Sequence, residues 1–419
     1  MRFIHAADIH LDSPLRGLDR YEGAPVERLR TATRRAFEGL IDLAIGEKVD
    51  FVLFAGDIYD RDWQDFHTGL YFREQMVRLD RANIRVYIVQ GNHDAEGVIQ
   101  RQLILPSNVT VFSSRKTETF PIESLNVLIH GRSFPERKVT EDLVPSYPAS
   151  TPGWFNIGML HTSLNGRPGH DTYAPTDAAT LIAKGYDYWA LGHVHAREVI
   201  AEAPRIVYPG NLQGRHANEI GAKGCELVTV TAGAITSEFV PLDVVRWSQA
   251  TVNLGGVDEL PAMHELVRAQ LESVARSAAD RLHAVRVTLQ GASSLRQLEA
   301  RTPGTLAAAV QAVAQDVHDV DLWIEQVRVD LSLPFNRAQT AARDDAVGEL
   351  VRLVDAIAGD EAQLKALAQT ELGALLSTLP AELGRDDLPS IEDIASLRAL
   401  LADAEATVLA RLATDGTLQ

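Results

Sequence analysis

Five short clusters of aspartate, asparagine and histidine, each directly after a short apolar run, constrain this chain more than any other feature. Asp8-Ile9-His10 follows residues 3–7, and Gly56-Asp57-Ile58-Tyr59-Asp60 follows residues 51–55. Gly91-Asn92-His93-Asp94 follows residues 86–89, His161 follows 157–160, and Gly192-His193-Val194-His195 follows 188–191. Such runs read as buried strands, and polar side chains just past strand ends converge in the crevice where α/β folds build sites. If the first and last clusters continue their strands, residues i and i+2 face one way, so each pair can reach one ion. The glycines suit sharp turns. Further strands are expected at 127–129, 155–160, 206–208 and 227–230, with helices over 26–47 and 66–82. The alternation predicts a layered α/β fold over residues 1–245.

The donors are carboxylate, amide oxygen and imidazole, with no thiolate. That set suits Mn²⁺, Fe or Zn²⁺. Two cations held about 4 Å apart can clamp an in-line displacement at phosphorus, and Asp57 is the natural bridging carboxylate. Each cluster alone is weak evidence, and a single histidine such as His161 is more often structural. Gly-Asn-His-Asp is the most specific of them.

The order of these clusters resembles the calcineurin-like metallophosphoesterases. Within them, Ala-Asp-Ile-His-Leu-Asp-Ser-Pro-Leu at residues 7–15 is similar to the SbcD and YhaO-type DNA-repair exonucleases. So is Tyr208-Pro209-Gly210-Asn211, with Gln213-Gly214-Arg215-His216, Glu219 and Lys223-Gly224. The resemblance implies a layered β-sandwich flanked by helices, and two divalent metal ions, Mn²⁺ first. One ion would take Asp8, His10, Asp57 and His195; the other, Asp57, Asn92, His161 and His193. His93 would protonate the leaving oxygen as hydroxide attacks phosphorus, and Asp60 would orient His93 or a ligand. With Asp94 from the same motif, these form the candidate catalytic set. Arg215, His216 and Lys223 are candidate contacts to substrate phosphate, against a plainer reading as solvated loop residues. Related archaeal and eukaryotic nucleases carry histidine where this chain has Asp60, and serine is usual where it has Asn211.

The resemblance further implies DNA as substrate, a coiled-coil, SMC-like ATPase of the SbcC type as partner, and homodimerisation. A phosphoesterase for a small molecule and a non-catalytic scaffold for DNA ends or the ATPase are the alternatives. The basic run Arg28, Arg30, Arg34 and Arg35 reads more simply as a solvated helix face.

Residues 246–333 read as a small α+β capping domain, and 334–419 as a helical segment. Val347, Leu350, Val351, Val354 and Ile357 fall at helical spacing, as do Ile394, Leu397, Leu401, Val408 and Leu412. Those stripes would pack on their own protein or dock partner helices. The net charge of −17 argues against a general nucleic-acid coat. Residues 344–419 concentrate it, with 15 acidic and 5 basic side chains, leaving the first 343 residues less hostile to phosphate. Cys225 is the only cysteine and lies in an apolar run, so it reads as a core residue. With no signal-like start and no run of about 20 apolar residues, a soluble cytoplasmic protein is expected.

Overall fold

The computed structural model describes residues 1–13, 23–60, 66–95, 103–164, 173–378 and 392–412. Pro14 and Leu15 of the opening motif lie outside them, as do 379–391 and 413–419 of the C-terminal segment. The chain forms two units, Met1–Ser248 with Asp280–Ala284, and Gln249–Ala279 with Val285–Gln419.

The strands of the first unit are β1 (Arg2–Ala6), β2 (Phe51–Ala55), β3 (Arg85–Val89), β4 (Val109–Val111), β5 (Glu118–Ile122) and β6 (Val127–Gly131). They continue with β7 (Phe155–His161), β8 (Tyr188–Gly192), β9 (Glu198–Ala201), β10 (Arg205–Tyr208), β11 (Gly224–Thr231) and β12 (Ala234–Pro241). Two six-stranded sheets result, ordered β12-β11-β1-β2-β3-β4 and β5-β6-β7-β8-β10-β9. The inner strands β1, β2 and β3 run parallel, as do β6, β7, β8 and β10.

The pattern of β2, Phe-Val-Leu-Phe-Ala, shows why the sheets stack. Every residue is apolar, as a strand covered on both faces requires. Phe51, Leu53 and Ala55 enter a core between the sheets with Phe3, Ile157 and Tyr188. Val52 and Phe54 face the other way, against Phe37, Leu40 and Ile41 of α2 (Ala32–Gly46) and Phe72 and Met76 of α3 (His67–Arg81). The outer face of the second sheet is covered by a third core that includes Phe134, Leu181, Trp189 and Tyr208, with Leu181 from α4 (Ala178–Ala183). The layered α/β expectation holds. The helix expected over 26–47 is split into α1 (Val26–Arg30) and α2, where the Thr31 hydroxyl donates to the Glu27 carbonyl at 2.8 Å.

The second unit holds β15 (Asp321–Ser332) and the larger parts of β13 (Val245–Asn253) and β14 (Leu282–Ala292), which form a sheet in the order β13-β14-β15. Its core joins Val285, Val287 and Leu289 to Met263, Val267 and Leu271 of α5 (Leu260–Ala275), Leu295 of α6 (Leu295–Arg301), and Leu306 and Val310 of α7 (Thr305–Gln315). The chain continues through α8 (Arg337–Ala341), α9 (Ala346–Gly359), α10 (Glu361–Thr378) and α11 (Ile394–Leu412). Leu409 of α11 is buried with Val351 of α9 and Ala300 of α6. Arg296 also donates to Asp403 at 3.0 Å, so residues before and after Pro334 share this unit. The buried ridge of α11 runs through Leu397, Glu405 and Leu409, while Val408 and Leu412 are 43% and 44% exposed. The apolar stripe read from the sequence shifted because Glu405 occupies a core-facing step, where it accepts from Arg337 at 2.7 Å.

Candidate metal centre

Each motif begins where a strand stops. Asp8 and His10 lie past the end of β1, and His193 and His195 past the end of β8. Neither pair lies on a strand, so the expected strand alternation does not orient them. Asp8, His10, Asp57 and His193 instead take positive φ of 50°, 46°, 51° and 101°. Non-glycine residues in that region cost about 1–3 kcal/mol each, which the surrounding structure must over-determine. Backbone bonds do so: Asp8 N–H donates to Gly56 O at 3.0 Å, His10 N–H to Asp57 O at 3.1 Å, and Leu11 N–H to Ile58 O at 2.8 Å. Gly56 has φ +97°, and a Cβ there would sit 2.3 Å from His161 Nδ1, so only glycine fits.

The motifs converge on Asp57. Its Oδ1 accepts from His93 N–H at 2.9 Å. Its Oδ2 lies 3.4 Å from His161 Nε2 and 3.9 Å from His10 Nε2, between histidines of two motifs. Asp8 accepts from His193 N–H at 2.9 Å, and lies 3.7 Å from His195 Nε2. Among the described residues, three sets bring donor atoms within 4.8 Å of one another: Asp8, His10 and His195; His10, Asp60 and His93; and Asp8, Asp57 and His161. The His193 side chain belongs to none of these sets; its ring centroid lies 5.1 Å from that of His161.

The arrangement of lone pairs tests whether these residues suit a cation. His161 Nδ1 donates to Ala55 O at 2.9 Å, so in the neutral ring Nε2 carries the lone pair. That lone pair faces Asn92 Oδ1 at 3.1 Å as well as the Asp57 carboxylate. Three acceptors cannot satisfy one another without a proton or a cation between them. In the chain alone a proton serves: burial pushes His161 down, but the Asp57 charge outweighs it and holds the imidazole up at about 9. Asp57, which burial would raise, is held well below the ordinary carboxylate range by the His161 charge and hydrogen bond. Burial, then the charge of Arg215, keep His10 well below its usual value, hence neutral. Its buried Nδ1 has no hydrogen-bond partner among the described residues, and its Nε2 lies 3.2 Å from His195 Nε2. A neutral imidazole beside an ionised carboxylate, as His10 stands beside Asp57, is what a divalent cation needs.

Residues 1–197 match the family model of calcineurin-like phosphoesterases. Residues 247–332 match that of the middle domain of metallophosphoesterase YhaO. A Bacillus subtilis (strain 168) protein described as the uncharacterized metallophosphoesterase YhaO is 36% identical over 359 residues, 85% of this chain and 87% of that relative. The chain belongs to the calcineurin-like metallophosphoesterase family. The chain also has a likeness to the crystal structure of a dimetal phosphatase from Danio rerio, with 10% identity and a TM-score of 0.37, over 58% of this chain and 96% of that one. Family and donor groups together fit two divalent cations.

Beside the metallophosphoesterase's cluster, His93 Nδ1 lies 2.8 Å from Asp60 Oδ1, and Ser13 Oγ donates to Asp60 Oδ2 at 2.6 Å. Burial pushes His93 down, but the Asp60 contact and the charges of Asp57 and Asp60 leave it above its usual value. Asp94 departs from expectation. It is buried and accepts from the amides of Ile58, Tyr59 and Gly91 at 3.2, 3.1 and 3.1 Å. It therefore staples the Asp57 loop to the Asn92 loop rather than facing substrate. Burial, then the Asp57 charge, raise it to about 7.

Lys223 is also corrected: its ammonium is buried and donates to the His195 carbonyl at 2.8 Å, so it faces the protein. Arg215 is half committed, 3.0 Å from Glu219 and 3.8 Å from Asp60. His216 is the most open of the three, with 57% of its side chain exposed. Arg34, from the basic run, clamps Asp12 through two bonds of 2.7 and 2.6 Å. The sequence marks neither Glu219 as a partner of His195 nor Ser13 as a partner of Asp60. Both act across distances in sequence that local spacing cannot show.

No helix among the described residues is long and apolar enough to cross a membrane.

Proposed function

We propose that this metallophosphoesterase hydrolyses phosphodiester bonds in DNA, as the nuclease subunit of a repair complex with a coiled-coil, SMC-like ATPase. The observation that carries the hydrolytic part is the Asp57-centred cluster with the His93–Asp60 pair beside it. Asp8, His10, Asp57 and His195 would hold one cation, and Asp57, Asn92, His161 and His193 the other, with Mn²⁺ the first candidate. Bound there, the cations would supply positive charge to phosphoryl oxygens and make water a stronger nucleophile.

The chain's own groups do the rest. His93, raised above its usual value and steadied by Asp60 at 2.8 Å, holds a proton for the leaving oxygen. Asp94 keeps the two loops in register, so that Asp57 and His93 stay joined through the 2.9 Å amide bond. The support for DNA is the resemblance of residues 7–15 and 208–224 to repair exonucleases. One observation favours a second reading, a small phosphodiester: Lys223 is turned inward and Arg215 is shared with two carboxylates, which leaves fewer cations for a DNA backbone. The test is hydrolysis of end-labelled single- and double-stranded DNA with added Mn²⁺, beside bis-p-nitrophenyl phosphate. Cleavage of both supports the nuclease. Cleavage of the small diester alone, with the ATPase present, overturns the DNA assignment.

A further inference from the structure

His195 can serve a metal only if its ring is held with Nε2 toward Asp8 and His10. The groups that hold it come from the loop after β10, beyond the stretch 1–197 that matches the phosphoesterase model. Glu219 Oε1 lies 2.7 Å from His195 Nδ1, and the carboxylate is buried. The same oxygen accepts from Arg215 Nη2 at 3.0 Å. Oε2 accepts from Asn211 Nδ2 at 2.9 Å and from the Arg215 amide at 2.7 Å. Arg215 Nε adds a longer contact to Oε2 at 3.5 Å, so each oxygen of this carboxylate accepts from at least two donors. A glutamine could not replace it without aiming an NH₂ group at donors.

The backbone of His195 is fixed by the same loop. Its carbonyl accepts from Lys223 Nζ at 2.8 Å and from Asn211 N–H at 3.3 Å. Arg215 then links Glu219 to Asp60, the carboxylate that steadies His93.

We propose that Glu219 is a positioning residue of the metal centre: its carboxylate fixes His195 as the Nδ1–H tautomer, so that Nε2 is presented to a divalent cation. This rests on the metal reading above and names a group that the ligand set does not contain. Carboxylates behind metal-binding histidines typically set metal affinity by 10–100-fold. Lys223 and Arg215 acquire roles in this arrangement too, as groups that brace His195 and Glu219.

The experiment has two parts. Metal-stripped wild type and Glu219→Gln are titrated calorimetrically with Mn²⁺ alone, with thermal melting of both. Long-range ¹H–¹⁵N spectra of histidine-labelled, metal-free wild type then report the His195 tautomer, its signal assigned by loss in His195→Ala. The expected results are protonation at Nδ1 in wild type, and Mn²⁺ affinity at one site weakened 10–100-fold in Glu219→Gln. In the His195→Ala background, Glu219→Gln should cost no further affinity, because Glu219 acts through that ring. Wild-type affinity in folded Glu219→Gln overturns the proposal, as does a further loss in the His195→Ala background. If Glu219→Gln does not fold, the wild-type spectrum decides alone: an unprotonated Nδ1 overturns it. A wild type that binds no Mn²⁺ would instead sink the metal reading beneath it.

Discussion

Gly91→Ala adds one methyl group at the point where the Asn92 loop passes Asp57. Gly91 does not have a left-handed backbone, so alanine brings no conformational strain of its own. Its Cβ would stand 2.2 Å from Asp57 Oδ1, and 2.8 Å from both Cε1 and Nε2 of His161. Carbon and its neighbours settle near 3.5 Å, so the carboxylate must retreat by about 1 Å. Overpacking of this kind costs about 1–3 kcal/mol of stability. The functional cost is larger. Asp57 lies between the two halves of the cluster and also accepts from the His93 amide, so its retreat disturbs metal binding and the position of the acid together. A misplacement of about 1 Å at a reacting centre costs on the order of 100-fold in rate. The assay is Mn²⁺ titration and hydrolysis of bis-p-nitrophenyl phosphate, with thermal melting to show that the fold survives. A folded Gly91→Ala protein with wild-type affinity and turnover would refute the placement of Asp57 at the heart of the site.

Three further outcomes are expected. His93→Ala should keep its Mn²⁺ and lose about 10²–10⁴-fold in turnover, read by the same titration and assay, since no ligand is removed; a normal rate would remove His93 from the acid role. Asp94→Asn should lower the melting stability of the metal-free protein by about 1–3 kcal/mol, because an amide offers only one oxygen to three backbone donors; an unchanged melt would contradict the staple. His5 is fully buried, between the Tyr188 hydroxyl at 3.0 Å and the Leu191 carbonyl at 3.1 Å, and burial, outweighing the Glu226 charge, pushes it down to about 4. The unfolded chain then takes up a proton between pH 6.5 and 4 that the folded one refuses. Stability rises with pH through that window, and is lost by about 2 kcal/mol from pH 6.5 to 5. Urea unfolding at pH 7 and pH 5 should show a loss about 2 kcal/mol smaller in His5→Gln than in wild type; equal losses would contradict it.

The fold and the main cluster were legible because the information is local. A run such as Phe51–Ala55, apolar on both faces, specifies a doubly covered strand, and a ligand directly after it needs no further guidance to reach the sheet's end. The left-handed turns at Asp8, His10 and His193 were not legible, since neither aspartate nor histidine announces a positive φ as glycine does. Nor were exposed edge strands such as β12, whose polar residues blur the hydrophobic pattern. Lys223 misled because a lysine in a loop normally faces water, and only the fold shows that its ammonium meets the His195 carbonyl. Glu219 and Glu405 are both buried carboxylates made acceptable by an arginine, four residues away in a loop for Glu219 but 68 residues away for Glu405, where spacing gives no hint of the pair.

The central claim is that one cluster holds two divalent cations and uses them on a phosphodiester. Metal-stripped protein should be titrated with Mn²⁺ while the hydrolysis of bis-p-nitrophenyl phosphate is followed on the same samples. The account predicts two ions per chain, with activity that rises as the second site fills and vanishes in Asp57→Ala. Hydrolysis that is indifferent to added metal and survives in Asp57→Ala would contradict it.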